Sequence, residues 1–332
     1  MDYLAILLLV SFSCALIHIF ISSSNKRRCH PPGPRPLPII GNILVLGSNP
    51  HRSLAKLSKT FGPIMTLKLG SRTTIVISSP DMAEEVLKKK DQAFSSRTVP
   101  DVIHVHNHHK ISIVWLPASS QWRTLRRACA TKIFSPQQLD ATQTSRQRKV
   151  QELLDFVGES CRRGEALDIG EAAFTTVLNS LSNTFFSVDL FSLNTDSSQE
   201  FKDVVWRIME EIGKPNVVDF FPILRPFDPQ RAYARTNIYF GKLLKYFDEI
   251  IEERIRSRAS KVDSEDCNDV LDSFLINISE EEDSSHLSRL DLLHLLAVSA
   301  LAFYIVHSMI TYLYLLQLKV TAITYLQTHL SR

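Results

Sequence analysis

Trp122-Arg123-Thr124-Leu125-Arg126-Arg127, taken with Pro31-Pro32-Gly33-Pro34-Arg35-Pro36-Leu37-Pro38 upstream, decides how this chain reads. Trp122 and Arg126 are four residues apart, so a helix carries both on one face. An indole N–H beside a forked guanidinium suits a carboxylate ligand, because Arg offers paired donors and Trp a single one. W-x-x-x-R in isolation has a blander meaning, a cation–π pair on a helix surface. From about residue 119 onward the apolar residues recur at helical spacing almost throughout.

Working outward, Ser135-Pro136 opens another helix, with apolar positions continuing through Val150, Leu153, Leu154 and Val157. Further helices are expected near 171–187, 198–213, 229–258 and 266–277. Phe220 to Leu224 and Asp228-Pro229 mark a tight loop between two of them, and Glu280 to Asp283 reads as a solvated acidic loop. Upstream, His51 to Phe61 is a short amphipathic helix stopped at Gly62-Pro63. Ile64 to Leu69 and Thr73 to Ile77 alternate on either side of Gly70-Ser71-Arg72, the pattern of a β-hairpin. Ser79-Pro80-Asp81 supplies an N-cap, a proline at the first helical position and an acidic first turn for a helix through Lys90. The expected fold is mainly α with a small β element near its start.

The N-terminus carries the clearest physical signal. Leu4 to Ile21 is an apolar run interrupted only by Ser11, Ser13, Cys14 and His18, and Lys26, Arg27 and Arg28 follow it. A helix of about 18 such residues crosses most of the hydrocarbon of a bilayer. The basic flank would keep the body cytosolic. A cleaved signal peptide is the rival; no basic region precedes the run and no small-x-small site closes it. The proline run that follows should be a stiff extended spacer. These features divide the chain into an anchor at 1–24, a basic and proline-rich hinge at 25–50, a body at 51–294 and a hydrophobic tail at 295–332.

The 332 residues allow one large domain or two ordinary ones, and 44% hydrophobic with 22% charged residues describes a globular protein. A net charge of +3 is too small to point to nucleic acid as a partner. Cys14, Cys29, Cys129, Cys161 and Cys267 are widely spaced and form no CxxC pair, which argues for a reducing compartment and against a zinc site or a disulfide framework.

Several segments in order carry a resemblance. The anchor, Pro31-Pro32-Gly33-Pro34, Phe61-Gly62-Pro63, Phe94-Ser95-Ser96-Arg97 and Trp122 to Arg126 resemble the plant cytochrome P-450 family of haem-thiolate monooxygenases over roughly residues 1–294. Pro215-Asn216-Val217-Val218-Asp219-Phe220-Phe221-Pro222 looks like the branch that includes geraniol 8-hydroxylases and other monoterpenoid oxidases. The resemblance implies the N-terminal portion of the cytochrome P-450 fold behind a membrane anchor helix in the endoplasmic reticulum. It further implies haem, with NADPH electrons arriving through an NADPH-cytochrome reductase, and hydroxylation of a small lipophilic substrate. Trp122 and Arg126 would bind a haem propionate. Thr98 to Leu116 would shape the substrate pocket; it carries His104, His106, His108 and His109. Those histidines could meet at a metal, but the better reading of the segment is a polar surface loop, and no metal ligand is assigned.

Other parts that the family needs are missing from these residues. Its iron takes an axial cysteine thiolate, which favours O–O cleavage, in a loop reading F-x-x-G-x-R-x-C-x-G. None of the five cysteines has that context, so no catalytic residue is assigned. The oxygen-activating helix, with an acid and a threonine after A-G, should begin near 297; the chain reads Ala297-Val298-Ser299-Ala300-Leu301. Glu159…Arg162 and Glu253…Arg256 match the family's E-x-x-R by spacing but lie too early, and read as helix-surface pairs. The simplest expectation is a chain truncated before the oxygen-binding helix and inactive, its tail after His294 produced by read-through or a misjoined exon. A non-catalytic membrane-attached fragment, either a degenerate product or a partner-binding remnant, is the alternative. Leu292 to Leu318 could also be a second membrane helix or a buried core helix.

Overall fold

The computed structural model describes residues 30–189, 196–260, 269–279 and 287–302, together with Ser13. The expected anchor at 1–24, apart from Ser13, and the tail beyond 302 lie outside the described residues. Among the described residues no helix is long and apolar enough to cross a membrane. The chain divides into two compact units, one formed by residues up to Ser95 with Asn216–Phe227, the other by Ser96–Pro215 with the residues from Asp228 on.

The first unit is built on the hairpin. Helix α1 (Pro50–Phe61) ends at Gly62, and β1 (Ile64–Leu69) pairs antiparallel with β2 (Arg72–Ile77) in the register Ile64 to Ile77 and Leu69 to Arg72. The loop is therefore Gly70-Ser71, and Gly70 has φ +58°. Two-residue hairpin loops need that left-handed conformation because it matches the twist of the strands. A second reason for glycine is contact: a Cβ at 70 would lie 2.7 Å from the Phe220 carbonyl oxygen. The Ser71 N–H and hydroxyl both donate to that carbonyl, at 2.9 and 2.8 Å. The one-turn helix Val217–Phe220, whose start Asn216 caps through the Val218 N–H, is thereby docked on the hairpin tip. Gly70→Ala should cost about 1–2 kcal/mol from the backbone conformation alone, and more once Phe220 is displaced. A lower urea midpoint than the parent would show it; an unchanged midpoint would mean the tip is not held against Phe220.

The proline run is extended, as its composition dictates, but from Pro32 on it is not a free spacer. The Thr66 N–H donates to the Pro32 carbonyl at 2.9 Å, and a Cβ on Gly33 would sit 1.9 Å from the Thr66 carbonyl oxygen. Asn42, 1% exposed, staples the arrangement. Its side-chain oxygen accepts from the Lys68 N–H at 2.8 Å and its amide donates to the carbonyls of Pro34 and Arg35. This docking was not legible because the partners on β1, Thr66 and Lys68, lie beyond any local pattern. Ser79 caps α2 (Pro80–Glu84) through the Met82 N–H; the helix then widens into a π-helical turn over Glu85–Lys89.

The second unit is helical. In chain order its elements are α3 (His108–Ile111), α4 (Ser120–Lys132), α5 (Pro136–Ala141), α6 (Gln143–Arg163), α7 (Ile169–Phe186), α8 (Asp196–Gly213), α9 (Ala232–Ser260), α10 (Val270–Ser279) and α11 at 289–302. Capping side chains start several of them: Ser119, Ser135 and Asp168 accept from the N–H groups of Trp122, Gln138 and Glu171. Ser288 and Asp291 cap α11 reciprocally.

One core joins these helices. On α8, Phe201, Val204, Val205 and Ile208 repeat at i, i+3, i+4 and i+7; on α9, Phe240, Leu243, Phe247 and Ile251 form the facing stripe. Phe274 of α10 is fully buried in the same core. The helix at 289–302 passes through His294 without a break, and Leu295, Leu296, Ala297 and Leu301 are buried in the same core. As far as Ala302, then, the apolar stretch from Leu292 is a core helix. Salt bridges brace the outside: Arg289 to Asp248 and Glu252 between α11 and α9, and a bidentate pair from Arg235 to the buried Glu211 between α9 and α8.

Candidate functional site

Trp122 and Arg126 sit on α4, whose start is set by the Ser119 cap. They share a face as their spacing requires. The Arg126 guanidinium lies 5.3 Å from the centre of the Trp122 ring, a cation–π stack. The Trp122 indole N–H donates to the Ile113 carbonyl at 3.1 Å. Trp122 therefore holds the segment at 98–116 against α4 and has spent its single donor. Arg126 is exposed and pairs with no carboxylate among the described residues, so its donors remain available to an anion.

The segment from Thr98 to Leu116 is not a polar surface loop. Residues Asp101–Asn107 form 3₁₀ turns broken by a kink, with Val105 extended and His106 and Asn107 at positive φ. Val102, Ile103 and Val105 are buried. Its four histidines do not meet at one point, although the rings of His104 and His109 pack together with centroids 4.3 Å apart. His106 donates through Nε2 to the Asn237 carbonyl of α9 at 3.1 Å, and His104 through Nδ1 to carbonyls at the start of the turn. His108 turns inward and meets His294 of α11, Nδ1 to Nδ1 at 2.7 Å, with Phe240 of α9 tilted against both rings. The imidazoles are 2% and 1% exposed. Burial, then the charge His294 would carry, lowers the His108 pKa to about 3; burial, then His106, lowers that of His294 to about 4. Both rings are thus neutral near pH 7, one donating its Nδ1–H to the other's lone pair. His294 Nε2 is buried without a partner among the described residues. This pair escaped the sequence reading because its halves are 186 residues apart; the one local sign was a histidine within the apolar run at 292–297.

The described cysteines do not suit a metal. Cys129 lies within α4, and burial pushes its thiol up from its ordinary value, keeping it protonated where an iron ligand must be a thiolate. Cys161 is exposed near the end of α6. Among the described residues no group of three or more His, Cys, Asp or Glu side chains could hold a metal ion. Glu159 and Arg162 form an exposed pair on α6 at 2.6 Å, as a surface i,i+3 contact should. For a haem, then, Arg126 fits the carboxylate edge and no described residue fits the iron.

The model of the cytochrome P-450 family matches residues 31–302. The chain belongs to the cytochrome P-450 family. Geraniol 8-hydroxylase of Catharanthus roseus is 52% identical over 290 residues, 87% of this chain and 59% of that protein. Geraniol 8-hydroxylase of Swertia mussotii is 48% identical over 289 residues, 87% of this chain and 58% of that protein. The inactive cytochrome P-450 76AD1 of Beta vulgaris is 45% identical over 284 residues, 85% of this chain and 68% of that protein. The chain spans just under three fifths of the length of the two geraniol 8-hydroxylases. Membership of this plant cytochrome P-450 group accounts for the mainly helical body, the single hairpin and the order of the segments around Trp122.

Proposed function

We propose that this chain is the N-terminal part of a membrane-attached haem monooxygenase that hydroxylates a small lipophilic substrate of the monoterpenoid type. The observation that carries the proposal is the match over residues 31–302 together with about half identity to two geraniol 8-hydroxylases. In this reading Arg126 offers its guanidinium to a haem propionate and Trp122 positions the pocket-shaping segment through Ile113. NADPH-cytochrome reductase supplies electrons, and the apolar run at 4–21 holds the body on the cytosolic face of the endoplasmic reticulum. The bound haem would supply oxygen activation, for which the iron needs a thiolate.

These 332 residues place no cysteine in the family's ligand context, and the two described thiols are unsuited. We therefore propose further that these residues by themselves do not hold a haem iron through a thiolate and do not turn over. Among its relatives, one carries the word inactive in its name. A reduced carbon-monoxide difference spectrum of membranes carrying the chain tests this. The expected result is no thiolate-type Soret band; such a band would overturn the inactive reading. A separate test of the lineage reading is haem titration of the chain and of Arg126→Ala. Weak haem uptake lost in Arg126→Ala would support the propionate role, and equal uptake in both would remove it.

A further inference from the structure

Within the second unit a cleft of about 310 Å³ runs along the seam of α8 and α9, at the small end of the range for sites that take organic molecules. None of its lining residues belongs to the Trp122–Arg126 site or to the His108–His294 pair. Its floor is apolar. Phe201 and Val204 of α8 and Leu243 of α9 are buried there, and the Phe201 ring meets the Tyr246 ring at a tilt, with centroids 4.9 Å apart. Such a floor takes hydrocarbon, because covering it removes apolar surface from water.

The rim is charged but balanced. Lys242 of α9 reaches across to Glu200 of α8 at 2.8 Å, and Lys245 lies 3.7 Å from Glu249, one turn further along α9. Two cations and two anions leave no net field to select an ion, and an ionised ligand would meet a like charge beside every opposite one. One neutral polar group remains. The half-buried Tyr246 carries a phenol with no hydrogen-bond partner among the described residues, and burial pushes its pKa up from its ordinary 10.0. It is therefore protonated at neutral pH, able to donate and to accept.

We propose that this cleft binds a neutral lipophilic molecule carrying a hydroxyl group, a phenol or an alcohol, with its hydrocarbon body on Phe201, Val204 and Leu243 and its hydroxyl paired with that of Tyr246. The site needs neither haem nor turnover, so its test is independent of both.

Equilibrium dialysis of the full chain in lipid nanodiscs, read as the excess over nanodiscs without protein, supplies that test with three probes on one ring system. Naphthol carries the hydroxyl, naphthalene lacks it, and naphthoate replaces it with an anion. Saturable excess binding is expected for naphthol, tighter than for either of the others. Tyr246→Phe, which removes no hydrogen bond seen within the chain, should weaken naphthol about fivefold, the worth of one neutral hydrogen bond, and leave naphthalene unchanged. Val204→Trp, which fills the floor, should abolish naphthol binding while keeping the parent's far-UV circular dichroism. Absence of saturable binding, or a naphthol affinity indifferent to Tyr246→Phe, would overturn the proposal. So would an equal loss for naphthalene, a preference for naphthoate, or full binding to a folded Val204→Trp chain.

Discussion

Arg254→Met is expected to be the most destabilising single change in the second unit, by about 3–5 kcal/mol, the cost of breaking a buried ion pair from one side. Arg254 of α9 is 16% exposed at its side chain and reaches three acceptors at once. Its guanidinium donates to Asp269 at 2.8 Å, to Asp272 at 2.9 Å and to the Phe186 carbonyl at 2.5 Å. The fork therefore joins the ends of α7 and α10 to α9. Burial already pushes the Asp269 carboxyl up from its ordinary 3.8, in spite of the Asp272 N–H and Arg254. Without Arg254 that carboxylate would be buried with no cation beside it, and methionine, similar in length, leaves packing nearly intact. Urea unfolding followed by far-UV circular dichroism should show the loss.

The pH dependence gives the sign. A carboxyl with a raised folded pKa binds its proton more tightly when folded, so acid favours folding until the unfolded value near 3.8 is passed. The gap between parent and Arg254→Met should narrow as pH falls from 7 toward 4. A constant gap, or a loss below about 1 kcal/mol, an exposed pair's worth, would show that Asp269 is not held ionised by Arg254. Arg254→Lys keeps the charge without the fork and should recover only part of the loss.

The second large effect is an acid instability centred on His108 and His294. Both imidazoles titrate near 6.5 when exposed, and at about 3 and about 4 when folded. A base whose folded pKa is depressed is neutral in the native state, so protons bind the unfolded chain first. Stability is complete above about pH 6.5 and falls as pH drops toward the folded values. At pH 5 the loss is about 2 kcal/mol for each imidazole, at 1.36 kcal/mol per unit. The double variant His108→Phe with His294→Leu removes both titrations and should flatten the stability profile between pH 6.5 and 5. The same slope in parent and variant would place the two rings in water. His108→Phe as a single change strands both nitrogens of His294 and should be worse at pH 7 than the double variant, because an unpartnered buried polar atom costs about 1–3 kcal/mol.

What could be read along the chain was what local rules govern. Ser79-Pro80, Ser119 and Ser135-Pro136 begin helices because a side-chain oxygen accepts from an N–H two or three residues on. Gly70 closes the hairpin because the first residue of its two-residue loop turns the chain at positive φ. Trp122 and Arg126 share a face because a helix repeats every 3.6 residues. These signals span a handful of positions, and with the family segments they sufficed for a mainly α body with one small β element.

Which side chain meets which was settled elsewhere. Trp122 could have aimed its N–H at a ligand; the fold gives it the Ile113 carbonyl instead. His108 sits in a stretch of histidines and charges that reads as surface, yet it is buried against a residue 186 positions away. Asn42 docks a spacer on the hairpin through Lys68, and Arg254 gathers acceptors from two segments. Periodicity and caps record only which face of an element is apolar and where it starts. A buried polar group must find its partner wherever packing brings one, and no count of intervening residues contains that choice.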